Sequence, residues 1–147
     1  MQHLTVESFW RSIPLCVARA KELWRDGHVS TPSRVAFEDL LFALKHQASD
    51  LRLQRASDLI ATLEAFAITV PLNEQAARVA DRGIDAGLDM LLALTHPNVS
   101  VHVGALYRLL ATLALDIARQ DQLGREFRPV FVPPRPSRRS SLFVSPE

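Results

Sequence analysis

Apolar side chains recur every three or four residues along most of the first 123 positions of this 147-residue chain. That spacing is the period of an amphipathic α-helix, and it differs from the two-residue alternation of a half-buried β-strand. Helix-breaking residues interrupt the pattern near Gly27, Pro71, Pro97 and Gly124. The pattern therefore predicts an all-α fold, an antiparallel bundle of about five helices joined by short loops.

Polar residues set the expected helix starts. Thr5 or Ser8 can cap the first helix, Thr31 the second and Asn73 the fourth, because a side-chain oxygen there accepts a hydrogen bond from a free backbone N–H. We expect the third helix over roughly residues 53–69.

Pro14 interrupts the first apolar stripe, so we expect either a helix that starts near Ser12 or a kinked one. The fifth helix is expected from about residue 100 to residue 121. The residues expected to face the core are Phe9, Ile13, Val17, Ala20, Trp24, Phe37, Leu41, Leu44, Ala48, Leu51, Ala56, Leu59, Ile60, Leu63, Ala67, Ala76, Val79, Ala80, Ile84, Leu88, Leu91, Leu92, Leu106, Leu109, Leu110, Leu113 and Ile117.

The last 24 residues differ in composition from the rest. Residues 124–147 contain five prolines and five arginines against two glutamates, whereas residues 1–123 hold 12 basic and 14 acidic side chains. Such a segment cannot continue a helix. We therefore expect a helical domain over 1–123 and a flexible Pro/Arg/Ser-rich tail or linker over 124–147. An alternative is a docking peptide, whose apolar anchors are Val130, Phe131, Val132, Leu142 and Phe143.

Composition argues against several functional classes. A lone Cys16 cannot form a disulfide within the chain, and a net charge of +1 is weak for a nucleic-acid-binding protein. No apolar run reaches the roughly 18 residues that a bilayer span requires, and the first 11 residues lack a signal-peptide pattern. We find no Gly-rich phosphate loop and no metal-ligand spacing. We expect a cytoplasmic protein that is not an enzyme, with no cofactor, no metal, and no nucleic-acid or membrane partner.

Residues 42–64, FALKHQASDLRLQRASDLIATLE, resemble the signature of the histidine-phosphotransfer (HPt) family. Leu44-Lys45 falls on the Leu-Lys of that motif, Asp50-Leu51 near its Asn-Leu, and Leu63-Glu64 on its closing Leu-Glu. The segment 81–94 is similar to a later helix of the first domain of CheA-type chemotaxis kinases. The resemblance implies an HPt-like four-helix core, which we expect from the second to fifth helices with the first across an end or side.

The resemblance also implies that the phosphate acceptor is missing. The phospho-accepting His of the family falls on Phe42, which has no nucleophilic nitrogen, and the two Gly positions fall on His46 and Arg52. The implied function is a bacterial, pseudo-phosphotransfer adaptor of two-component signalling. The implied partner is a receiver domain, a kinase or a pilus- or chemotaxis-type regulator.

Helix geometry places Phe42 on the outward side of the second helix, about 140° from the centre of its apolar stripe. An aromatic ring among polar neighbours is typical of a protein-binding surface. The predicted partner-binding residues are Glu38, Phe42, Lys45, His46 and Ser49. Phe42 can instead pack beneath the tail or the first helix.

Two other functions remain open from the sequence. His46 lies one turn after Phe42 and could itself be phosphorylated, which would make the chain an active phosphocarrier, although Asp50 on the same face would repel a phosphoryl group. The match in the second helix could also be accidental. The chain would then be an unrelated helical chaperone, effector or regulatory module.

Overall fold

The structure, a computed structural model, describes residues 4–96 and 101–122; for residues 121 and 122 it describes the backbone alone. This part of the chain forms five α-helices and no β-strand. They are α1 (Val6–Asp26), α2 (Thr31–Asp50), α3 (Gln54–Ile68), α4 (Glu74–Ala93) and α5 (Val103–Gln122). The predicted all-α bundle of five helices is confirmed. The predicted tail lies outside the described residues.

The helix starts follow local hydrogen bonding. Thr5 caps α1 in a reciprocal capping box with Ser8, and the Asn73 side chain accepts from two backbone N–H groups at the start of α4. The predicted cap of α2 is wrong by one residue, because Ser30 rather than Thr31 has extended backbone and accepts from the Ser33 N–H. Pro32 then lies in the first turn, where its missing N–H has no helical acceptor to lose.

Helix α1 continues through Pro14, so the alternative in which a helix starts near Ser12 is wrong. Pro14 is exposed, while Ile13 and Val17 beside it are buried in the core. Burial of this apolar face stabilises α1 across the position where proline removes one backbone hydrogen bond.

The first four helices form a closed ring. Helix α1 packs against α2 and α4, and α3 packs against α2 and α4. Helix α5 lies outside the ring, where it contacts α4 and α3 but not α2. The prediction that the second to fifth helices form the four-helix core is therefore wrong. The reason is that α1 buries a full apolar face, including Phe9 and Trp24, and therefore packs into the core between α2 and α4.

Contacts between helices fix their directions. Lys21 pairs with Asp89, and Trp24 hydrogen-bonds to Asp81, so α4 is antiparallel to α1. With short loops linking α1 to α2, α2 to α3 and α3 to α4, the ring runs up, down, up and down.

Helix α5 runs in the same direction as α3. Its Tyr107 hydroxyl lies 3.4 Å from the Thr62 hydroxyl, and Leu110, one turn on, lies with Phe66 beside Gly83 of α4. The carboxyl end of α5 therefore lies at the end of the bundle where α3 finishes and α4 begins.

The core matches the predicted apolar stripes closely. Of the predicted core residues, all are buried except Leu51, Val79, Leu92 and Leu109, which are half-buried. The prediction missed Phe66, which is fully buried between α3 and its neighbours. Among the described helices, none is both long and apolar enough to cross a membrane.

Candidate functional site

Phe42 lies on the outward side of α2, as helix geometry predicted. Its side chain is 50% exposed, whereas Leu41 and Leu44 on the same helix are buried. A large aromatic ring exposed at mid-helix leaves apolar area in water and is available for contact with a second surface.

Two neighbouring side chains hold the Phe42 ring. The imidazole of His46 meets it nearly edge-on, with ring centroids 4.3 Å apart. The Lys45 ammonium lies 5.1 Å from the ring centroid, within the range of a cation–π interaction. These contacts favour one orientation of the ring, and a pre-ordered side chain loses less entropy when it is covered.

Lys45 also joins α2 to α3. Its ammonium donates to a carboxylate oxygen of Glu64 at 2.5 Å, and both side chains are mostly covered. Beneath the pair, Leu44 and Leu63 are buried in the core. Sequence reasoning missed the pair, because no local spacing signals a contact between residues on different helices.

Glu38 lies one turn before Phe42 and is half-buried. Loss of solvent around the carboxylate raises the pKa of Glu38, and the negative charges of Asp39 and Glu64 raise it further, while Arg34 opposes the shift. Ser49 is exposed one turn beyond Lys45. The five predicted site residues therefore share one side of α2, and we call Glu38, Phe42, Lys45, His46 and Ser49 the docking surface.

Replacing Glu38 with glutamine should stabilise the fold at neutral pH. A carboxyl group whose pKa is raised by folding binds its proton more tightly in the folded state, so its ionisation destabilises the fold as the pH rises through the raised pKa. Urea unfolding of Glu38→Gln and the parent chain should show the variant more stable at pH 7. The difference should shrink as the pH falls below the carboxyl's ordinary range, and a gain of equal size at both pH values would contradict this account.

A second polar cluster, which sequence reasoning missed, occupies the end of the bundle where α1 meets α2. One carboxylate oxygen of Asp81 accepts from the Trp24 indole N–H and contacts the His28 ring nitrogen, each at 2.8 Å. Trp24 is 2% exposed, so this carboxylate pairs a polar group that the core covers. The cluster joins α1 and its following loop to α4.

Arg34 lies beside this cluster and is also buried. Its guanidinium donates to the Val70 carbonyl at 2.8 Å and stacks 4.4 Å from the Trp24 ring. Burial lowers the pKa of Arg34, although nearby Glu38 opposes the shift. The remaining guanidinium nitrogens, Nε and Nη2, have no hydrogen-bond partner within the described part of the chain. Arg34 therefore links the first turns of α2 to the loop that follows α3.

A cavity of about 280 Å³ opens at the opposite end of the bundle, around the loop between α2 and α3. It contains none of the five docking-surface residues. Arg52 in that loop adopts a left-handed backbone with φ of 61°. The cavity is lined by Trp10, Arg52, Leu53, Gln54, Arg55, Ala56 and Leu94.

The geometry of α2 thus gathers the predicted site residues around an exposed aromatic ring, with polar groups at its edge. Comparisons of the chain with models of protein families, with curated proteins and with solved structures found no match in any of the three.

Proposed function

We propose that this chain is a non-catalytic, HPt-like signalling adaptor that acts by binding another protein through the docking surface. Because α1–α4 and not α2–α5 form the ring, the proposal rests on the sequence resemblance of α2 and α3 and not on the helix order of the family. The observation that carries the proposal is Phe42, which is half-exposed at the position where the HPt resemblance has its phospho-accepting histidine. A receiver domain, a kinase or a pilus- or chemotaxis-type regulator is the partner class that the resemblance implies.

Packing around the motif supports the proposal. The two dipeptides that match the HPt signature, Leu44-Lys45 and Leu63-Glu64, lie side by side on α2 and α3. Their leucines are buried and their charged members pair with each other. The matched residues thus form one contact between α2 and α3, which supports the proposal.

The chemistry of Phe42 determines what the surface does. A phenyl ring cannot take a phosphoryl group, but it can enter an apolar pocket on a partner and exclude water there. Interfaces gain much of their binding energy from a few central aromatic or arginine residues surrounded by a polar rim. Glu38, His46 and Ser49 supply that rim.

The protein should not gain a phosphoryl group when incubated with a small phosphodonor or with a phosphorylated receiver domain. Intact-protein mass spectrometry of the full chain checks this, with His46→Ala as the control. A gain of one phosphoryl group that disappears in His46→Ala would contradict the adaptor proposal and favour an active phosphocarrier.

Replacing Phe42 with alanine should weaken partner binding by about 2 kcal/mol, as expected for a central aromatic anchor. Its thermal unfolding should change little, because the ring is half-exposed and contributes little to the core. Leu115→Ala on α5 is a matched control, since Leu115 is 49% exposed but lies outside the docking surface. Affinity capture from the source cell identifies partners that the parent and Leu115→Ala retain and Phe42→Ala loses.

Titration of the identified partner then gives the dissociation constants of all three chains. Severe destabilisation of Phe42→Ala with partner binding intact would contradict the proposal and favour an intramolecular role for the ring. Equal weakening by Phe42→Ala and Leu115→Ala would favour an unrelated helical module without a specific surface on α2.

A further inference from the structure

Exposed apolar residues continue from α2 onto α3. Val35 and Phe42 are 47% and 50% exposed, and seven residues bring a helix back to within about 20° of the same side. Ile68 at the end of α3 and Leu72 just beyond it are 64% and 47% exposed. We call Val35, Phe42, Ile68 and Leu72 the α2–α3 face.

Cross-helix contacts place Val35 and Phe42 on α2 beside Ile68 on α3, with Leu72 at the same end of the bundle. The Lys45–Glu64 pair defines the sides on which α2 and α3 meet, and Ile68 lies one turn after Glu64 on that side. The bond from Arg34 to the Val70 carbonyl brings the start of α2 to the end of α3. Val35 therefore lies at the same end of the bundle as Ile68 and Leu72.

The α2–α3 face also carries negative charge. Glu38 and Asp39 lie between Val35 and Phe42 in sequence, and Glu64 lies on α3 where it meets α2. Lys45 neutralises one of these three carboxylates, and Arg34, the other nearby cation, is buried. An occupant of this face should therefore combine apolar anchors with positive charge.

The remaining part of the chain has that composition. Residues 124–147 carry five arginines against two glutamates, and the apolar runs Val130-Phe131-Val132 and Leu142-Phe143-Val144 flank most of them. Residues 1–123 have the opposite sign, with 12 basic and 14 acidic side chains. Charge and hydropathy thus complement each other within one polypeptide.

The end of α5 allows this segment to reach the face. Helix α5 finishes at Gln122, at the end of the bundle where Val35, Ile68 and Leu72 lie. Helix α3 separates α5 from α2, and two interhelix spacings amount to about 20 Å. Ten extended residues span up to about 35 Å, so arginines from residue 135 onward can reach α2 with chain to spare.

We propose that residues 125–147 bind the α2–α3 face of their own chain, with arginines against Glu38 and Asp39 and apolar residues against Phe42 and Ile68. The segment then competes with the external partner for Phe42; this regulatory role rests on the function proposed above. Because the segment is tethered, its effective concentration at the face is in the millimolar range, so even weak contacts are occupied.

Paramagnetic relaxation measured by NMR on the full chain tests the proposal. A nitroxide attached to Ser140→Cys, in a Cys16→Ala background, should broaden the amide signals of Val35, Asp39 and Phe42 on α2 and of Ile68 on α3. Signals of Leu15, which is exposed on α1 outside the α2–α3 face, should stay sharp. Broadening that is absent, or that falls on another side of the bundle, would overturn the proposal.

Two controls define what the broadening means. Replacing Arg135, Arg138 and Arg139 with serine in the nitroxide-labelled chain should abolish the broadening. The same three replacements in the unlabelled chain, which keeps Cys16 and Ser140, should speed amide hydrogen exchange at Phe42. Mixing isotope-labelled chain with separate nitroxide-labelled chain should give no broadening; if it does, the face binds a second copy and the intramolecular proposal is wrong. Neither experiment includes the external partner, so a failure of the proposed adaptor function leaves this result unaffected.

Discussion

Replacing Gly87 with leucine is expected to lower the free energy of unfolding by about 3 kcal/mol, the upper range for overpacking a core. Gly87 lies on the buried side of α4, where a Cβ atom would overlap Cδ2 of Leu63 and come within 2.8 Å of its Cγ. Leu63 is fully buried in a close-packed core, so moving it displaces other side chains. The close approach of α3 and α4 therefore depends on the absence of a side chain at this position.

Urea unfolding of the purified variant measures the loss, and Gly104→Ala is the matched control. A Cβ at Gly104 would have its nearest neighbour 3.5 Å away, at an arginine nitrogen, so alanine fits there and improves helix propensity. We expect the control to equal or slightly exceed the parent in stability. Equal stability of Gly87→Leu and the parent would mean that α3 and α4 can separate at little cost.

Replacing Asp81 with alanine should destabilise the fold by about 3 kcal/mol, because it leaves a buried donor without its charged acceptor. The indole N–H of Trp24 donates to Asp81 at 2.8 Å, and the Trp24 side chain is 2% exposed. Alanine offers the indole N–H no side-chain acceptor, and His28 loses its partner at the same time.

Chemical unfolding followed by tryptophan fluorescence tests this expectation. Asp85→Ala is the control, since it removes a carboxylate one turn along α4 from an exposed position. It should change stability by less than about 0.5 kcal/mol, the usual range for a surface substitution. Equal losses in the two variants would show that the net charge of α4, and not the bond to Trp24, determines the effect.

Much of this fold could be predicted from periodicity alone. The inward stripes from Phe9 to Ile117 are set by which residues are apolar, and a helix period assigns them to one side without knowledge of any neighbour. The exposure of Phe42 follows from the same geometry. The caps at Thr5 and Asn73 were predicted because the bonds they make are local.

Pairing between helices could not be predicted in this way. The places of α1 in the ring and of α5 outside it depend on how whole faces compete for burial, which no window of the sequence contains. The Lys45–Glu64 pair and the Trp24–Asp81 bond join residues 19 and 57 positions apart. The candidate site was therefore predicted as a set of residues on α2, while its link to α3 became visible only in three dimensions.

The ring of four helices has a consequence for how the chain folds during synthesis. Three of its four contacts join helices that follow one another in sequence, and only the contact between α1 and α4 closes the circle over a long separation. Such local connectivity favours rapid folding, and chains fold from the amino terminus as they emerge from the ribosome. Residues 4–96 can therefore close the ring before α5 emerges, so that α5 docks onto a partly formed domain and the arginine-rich segment follows it.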